Sequence, residues 1–195
     1  MHVEEALTTE RLLRHVREAL TEASKLAWNE LTSEGDVIAS AIAKRLKDNP
    51  NIFCYSGKPA SIPEGCTGSE WLFHFCALAY KEPAGVRFLV QGAIVGEIEW
   101  CFEDAKTDEG FEKLLIVDSI VCFFVCGVRS REQANEKLAR YEKVVKIRQK
   151  YAALRGIRPP SFLLACYVRP DDHISGHVEL IPKEIPGRSL LRRPN

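Results

Sequence analysis

The stretch from Phe88 to Trp100, FLVQGAIVGEIEW, limits what this chain can become more than any other, because its aromatic and branched residues follow the two-residue period of a strand. Alternation puts Leu89, Gln91, Ala93, Val95, Glu97 and Glu99 on one face and Phe88, Val90, Ile94, Ile98 and Trp100 on the other. Two carboxylates therefore end one face of a largely apolar strand. Neighbouring carboxylates repel, and taking each out of water costs roughly several kcal/mol unless a cation or hydrogen-bond donors compensate. From the residues alone two outcomes stay open. Either a divalent metal balances the pair, or the strand end is solvated and the glutamates meet Lys or Arg.

The segments around this strand alternate between the two regular periods. Apolar residues at Leu12, Leu13, Val16, Leu20, Ala23, Leu26 and Ala27 predict an amphipathic helix from Thr9 to about Leu31, capped by Thr8 or Thr9. A second helix follows the break at Ser33-Glu34-Gly35-Asp36 and runs through Leu46 to the Asn49-Pro50 stop. Ile52 to Tyr55 reads as a short strand and Ser56 to Gly68 as a loop. Strands are expected over Glu70 to Tyr80, Arg87 to Cys101, Ile120 to Val128 and Ser161 to Val168. Asp108 to about Val117 predicts a short helix, and Ser130 followed by Gln133 is a capping box opening a long helix to about Leu154. The expected product is one domain, residues 1–195, of the α/β class: a central mixed sheet flanked by helices. Its core covers about 9–181, and the proline- and arginine-bearing tail from Pro182 is expected to be loose.

Composition removes several function classes. With 195 residues, 46% of them hydrophobic, the chain can build its own core. Lys plus Arg and Asp plus Glu both number 27, so any electrostatic footprint must be local. The seven cysteines are odd in number, lie largely in apolar runs and include no C-x-x-C pair, as reduced core thiols would. The N-terminus does not read as a secretory leader, and no run approaches the ~18 apolar residues of a membrane span, so a cytoplasmic protein is expected. No glycine-rich phosphate loop, dinucleotide fingerprint or G-x-S-x-G elbow is present, which demotes nucleotide-dependent and serine-hydrolase chemistry.

Three further features could carry chemistry. Stepping by three and four along the first helix's apolar stripe lands on Glu30, an acid that either serves a site or merely reaches water at the helix end. Lys113, in the apolar stretch Phe111–Val117, must aim its ammonium at an edge or at a carboxylate. The long helix and its exit carry Lys137, Arg140, Lys143, Lys146, Arg148, Lys150, Arg155 and Arg158 against Glu136 and Glu142. This is either a nucleic-acid surface, centred on Lys143, Lys146, Arg148, Lys150 and Arg155, or an ordinary solvated face. His173 and His177 have an H-x₃-H spacing with no convincing third ligand nearby, which makes a weak metal motif.

Three blocks in order, Ser69-Glu70-Trp71-Leu72-Phe73-His74-Phe75, Gly96-Glu97-Ile98-Glu99-Trp100 and Phe111-Glu112-Lys113-Leu114-Leu115, resemble those of a bacterial branch of the restriction-endonuclease-like PD-(D/E)XK nuclease superfamily. That branch reads roughly E-[FW]-L-[FY]-D, E-x-E-W and D-F-E-K-L-L. With the flanking helix and strand, the likeness spans about residues 9 to 168. It implies a restriction-endonuclease-like core and phosphodiester hydrolysis in DNA assisted by Mg²⁺ or Mn²⁺. It also implies that Glu97 and Glu99 are the strand acids, that Lys113 is a lysine supplied from the neighbouring helix, and that Glu30 is an auxiliary acid. His74 stands where those proteins place a metal-binding aspartate, and Gly110 where the third block begins with an acid. A neutral histidine can ligate Mn²⁺ but suits Mg²⁺ poorly. The alternative is therefore an inactive descendant that binds nucleic acid or a protein partner. A dimer is compatible with either reading.

Overall fold

In the computed structural model the described residues are 8–25, 34–57, 62–68, 72–100, 102–169 and 178–187. Helices α1 (Thr9–Lys25) and α2 (Glu34–Leu46) lead into strands β1 (Ile52–Ser56), β2 (Phe75–Lys81) and β3 (Phe88–Glu99). Helix α3 (Asp104–Ile116), strand β4 (Ser119–Val128), helix α4 (Arg131–Leu154) and strands β5 (Ser161–Val168) and β6 (Glu179–Ile185) follow. The strands lie in chain order in one six-stranded sheet. β1, β2 and β3 pair antiparallel, β3, β4 and β5 pair parallel through α3 and α4, and β6 returns antiparallel on β5. This is the expected mixed sheet flanked by helices.

Each face of the sheet has its own apolar layer. On one, Leu12, Val16 and Leu20 of α1 and Ile38 and Ile42 of α2 pack on Phe75, Ile94, Ile98, Phe123, Leu163 and Tyr167. The Tyr167 hydroxyl, fully buried there, donates to the Leu20 carbonyl at 2.9 Å, so its polar tip is satisfied inside the layer. On the other face, Phe111 and Leu114 of α3 and Leu138, Tyr141 and Val145 of α4 cover Val95, Phe124, Phe162 and Leu164. Here Phe111 stacks on Tyr141 with centroids 4.2 Å apart, and both meet Phe124 edge-on at 5.4 Å. These rings set the rotation of α3 against the sheet, which decides what its remaining side chains face.

Local signals explain most element ends. The Ser130 hydroxyl accepts from the Gln133 N–H at 3.2 Å, and the Gln133 side chain accepts from the Arg129 N–H at 2.9 Å, so the capping residues close the start of α4. Thr8 caps α1, its hydroxyl accepting from the Arg11 N–H at 3.4 Å. Six cysteines are free thiols, while Cys101 lies outside the described residues. No described helix is long and apolar enough to cross a membrane.

Four expectations need correction. The chain is not loose from Pro182 to Ile185: β6 runs to Ile185 and pairs Pro182 with Ala165, so the core extends past 181, while residues 188–195 lie outside the described residues. An edge strand tolerates proline because one side of it needs no N–H. β2 starts at Phe75, leaving His74 in the loop at its mouth, and α3 starts at Asp104 rather than Asp108. The alternation of β3 is also interrupted. Its register against β2 skips Ala93 and Val90, and Ala93 joins Ile94 in the layer under α1 and α2. The phase that aims Glu97 and Glu99 at α3 is set after those bulges.

Candidate metal centre

His74, Glu97, Glu99 and Lys113 converge at one point beneath α3. The close approach of Gly57 anchors His74, because the Gly57 N–H donates to the His74 carbonyl at 3.0 Å and a Cβ at Gly57 would lie 2.4 Å from the Phe73 carbonyl oxygen. β1 can thus press the loop before β2 against the end of β3. Glu97 and Glu99, two apart on β3, share the face under α3, and the helix supplies Lys113 from its last turn. Each of His74, Glu97 and Glu99 offers a ligand atom, all lying within 4.8 Å of one another. Metal–ligand bonds of about 2.0–2.3 Å let atoms this close surround a single cation with little movement.

Electrostatics favour a cation at this point. The Glu97 side chain is 1% exposed, and its Oε2 is in close contact with His74 Nδ1, toward which the Ile98 N–H also points at 3.5 Å. Its Oε1 has no hydrogen-bond partner, and Lys113 Nζ stands off at 3.7 Å. A buried carboxylate oxygen with no donor is costly, and most buried polar atoms avoid that state. Burial pushes the Glu99 carboxyl above its ordinary range, the Glu97 charge and, more weakly, Glu109 push it the same way, and His74 and Lys113 oppose them. Two carboxylates, one of them fully buried, share one ammonium and one imidazole between them. His74 and Lys113 are 28% and 41% exposed, so the cluster is open to solvent on their side.

The donor set, one imidazole nitrogen and two carboxylates, suits a divalent ion of borderline softness such as Mn²⁺ better than Mg²⁺. Glu30 lies outside the described residues, as do His173 and His177. Of the basic residues, Lys137 turns to Asp104 at 2.9 Å and Arg140 to Asp108 at 2.6 Å, both on α3, while Arg148 donates to the Leu115 carbonyl. Lys146 pairs with Glu142 at 2.7 Å. Lys143, Lys150 and Arg155 are exposed on and just after α4, with no ion pair among the described residues. Charge counting along one helix missed Asp104 and Asp108 because they lie on another.

Gly110 is a residue that sequence reasoning noted only as a departure from the third block. It packs directly against the side chain of Glu99. A glycine inside an otherwise helix-forming stretch was the available signal. Comparisons with protein-family models, with curated proteins and with solved structures find no match to this chain.

Proposed function

We propose that the chain is a divalent-metal-dependent nuclease with a restriction-endonuclease-like core, hydrolysing phosphodiester bonds in DNA. The observation that carries the reading is the buried Glu97 oxygen without a donor, set among His74, Glu99 and Lys113. His74 Nδ1 and the carboxylates of Glu97 and Glu99 would hold the cation. When bound, it supplies charge neutralisation at the scissile phosphate and acidifies a water. Lys113, half-exposed at the mouth of the cluster, is placed to hold a phosphoryl oxygen and offset its developing negative charge. Glu99, its carboxyl already biased toward the protonated form, is the group best suited to receive a proton from the attacking water. Water adds to phosphorus, the bond from phosphorus to the leaving oxygen breaks, and that oxygen is protonated from solvent at the open side. Lys143, Lys150 and Arg155 supply unpaired charge for the DNA backbone, with Lys146 and Arg148 beside them.

His74 favours a second reading, a non-catalytic module of the same fold, because it replaces a hard carboxylate and removes one negative charge from the cage. Supercoiled plasmid separates the two. The wild type is expected to nick it with Mn²⁺ more than with Mg²⁺, and Glu99→Ala and Lys113→Ala are each expected to lose about 100-fold or more. Nicking that appears only in His74→Asp supports the module. No nicking by the wild type or by His74→Asp rejects the nuclease.

A further inference from the structure

We propose that Gly110 is a positioning residue of the metal centre: the absence of a side chain there lets Glu99 lie along α3 and present its carboxylate to the cation. The inference deepens the metal-centre reading and rests on it. A Cβ at position 110 would stand 2.6 Å from Glu99 Oε1, 2.8 Å from its Cγ and 3.1 Å from its Cδ. Contact with the Cγ as well as the carboxylate means that rotating the terminal bond cannot relieve the overlap. The stem of the side chain would have to leave. Neither backbone can easily retreat instead. Phe111, the next residue, is 2% exposed and locked between Tyr141 and Phe124, and Leu114, one turn on, is fully buried. Glu99 sits at the end of β3, held in register against Cys126 of β4.

The same contact accounts for the glycine. A helix interior disfavours glycine, and an alanine at 110 would be the better helix former on local grounds. Glycine stands at a position where it weakens α3, next to a carboxylate whose removal would make room for a small side chain.

The test is Mn²⁺ titration calorimetry on the full chain, comparing the wild type, Gly110→Ala, Glu99→Ala and the double variant. Gly110→Ala is expected to bind Mn²⁺ about 10-fold or more weakly, the size of effect seen when a ligand loses its orientation. Adding it to Glu99→Ala should cost nothing further, because its only route to the cation is gone. Thermal unfolding without metal supplies a second reading: Gly110→Ala should raise the midpoint in the Glu99→Ala background and lower it in the wild-type one. If Gly110→Ala does not fold, recovery of folding in the double variant supports the contact and failure to recover overturns it. Gly110→Ala binding Mn²⁺ as tightly as the wild type removes the role of Gly110 and leaves the metal centre standing. No Mn²⁺ binding by the wild type removes both.

Discussion

Two polar clusters, each with a buried member in Tyr141 or Glu97, lie on the α3 side of the sheet, and they satisfy their carboxylates in opposite ways. Around Asp108, the Tyr141 hydroxyl donates at 2.7 Å and Arg140 Nη2 at 2.6 Å to the same oxygen, so a carboxylate, a phenol and a guanidinium answer one another. Around Glu97, a carboxylate buried more deeply keeps one oxygen without a donor and shares its surroundings with a second acid. The first cluster is complete as it stands. The second leaves a buried acceptor unanswered among the described residues. The two carboxylates thus differ both in burial and in the count of donors that answer them.

The largest effect that can break this contrast comes from the complete cluster. Tyr141 is 2% exposed, stacked on Phe111, and bonded to Asp108. Tyr141→Ala is expected to cost about 3–5 kcal/mol of unfolding free energy, the range for deleting a buried aromatic ring, measured by urea denaturation. A cost under about 1 kcal/mol, the usual effect of a surface change, would mean that this cluster does not hold α3 to α4.

The incomplete cluster should behave in the reverse sense. Mn²⁺ at 100 times its dissociation constant is expected to stabilise the wild type by about 2.7 kcal/mol through binding to the native state alone. Glu97→Gln should abolish that gain. Without metal, the same substitution removes a buried charge that repels Glu99, and it is expected to leave stability unchanged or slightly higher. A marked loss of metal-free stability in Glu97→Gln would place Glu97 in the same structural category as Asp108 and erase the distinction.

The two clusters also differ in how far the sequence revealed them. Glu97 and Glu99 were visible because both lie on one strand whose period assigns them a face, and Lys113 because a lysine in an apolar helix must reach for a partner. The mate of Tyr141 was not visible, since Asp108 and Tyr141 are 33 residues apart and meet only when two helices pack. The start of helix α4 was readable because Ser130 and Gln133 carry a local capping signal, yet the destinations of its cations were not. Asp104, Asp108 and the Leu115 carbonyl belong to α3. The space taken by Glu99 against Gly110 is a three-dimensional exclusion with no one-dimensional trace beyond the glycine itself. β6 was misjudged because proline reads as a breaker unless the strand is known to lie at an edge.

That edge strand supplies the smallest effect. Glu142 on α4 accepts from Lys146 at 2.7 Å and from Lys183 of β6, and these hydrogen bonds hold its carboxyl down at about 2 against an ordinary 4.5. Because the native state binds this proton less readily than the unfolded chain, the contribution is fully present above about pH 4.5. It is lost as the pH falls toward about 2. Glu142 is only partly buried and both lysines are open to solvent, so solvent and salt screen the pairs and the contribution is small. Glu142→Gln should remove that part of the acid sensitivity, seen as a flatter dependence of the urea midpoint on pH across this window, with no change at pH 7 beyond the loss of the pair. Lys183→Met should flatten it partly, leaving the share due to Lys146. If Lys183→Met behaves as the wild type throughout, the Lys183–Glu142 pair does not form in solution and Lys146 alone accounts for the depressed Glu142 carboxyl.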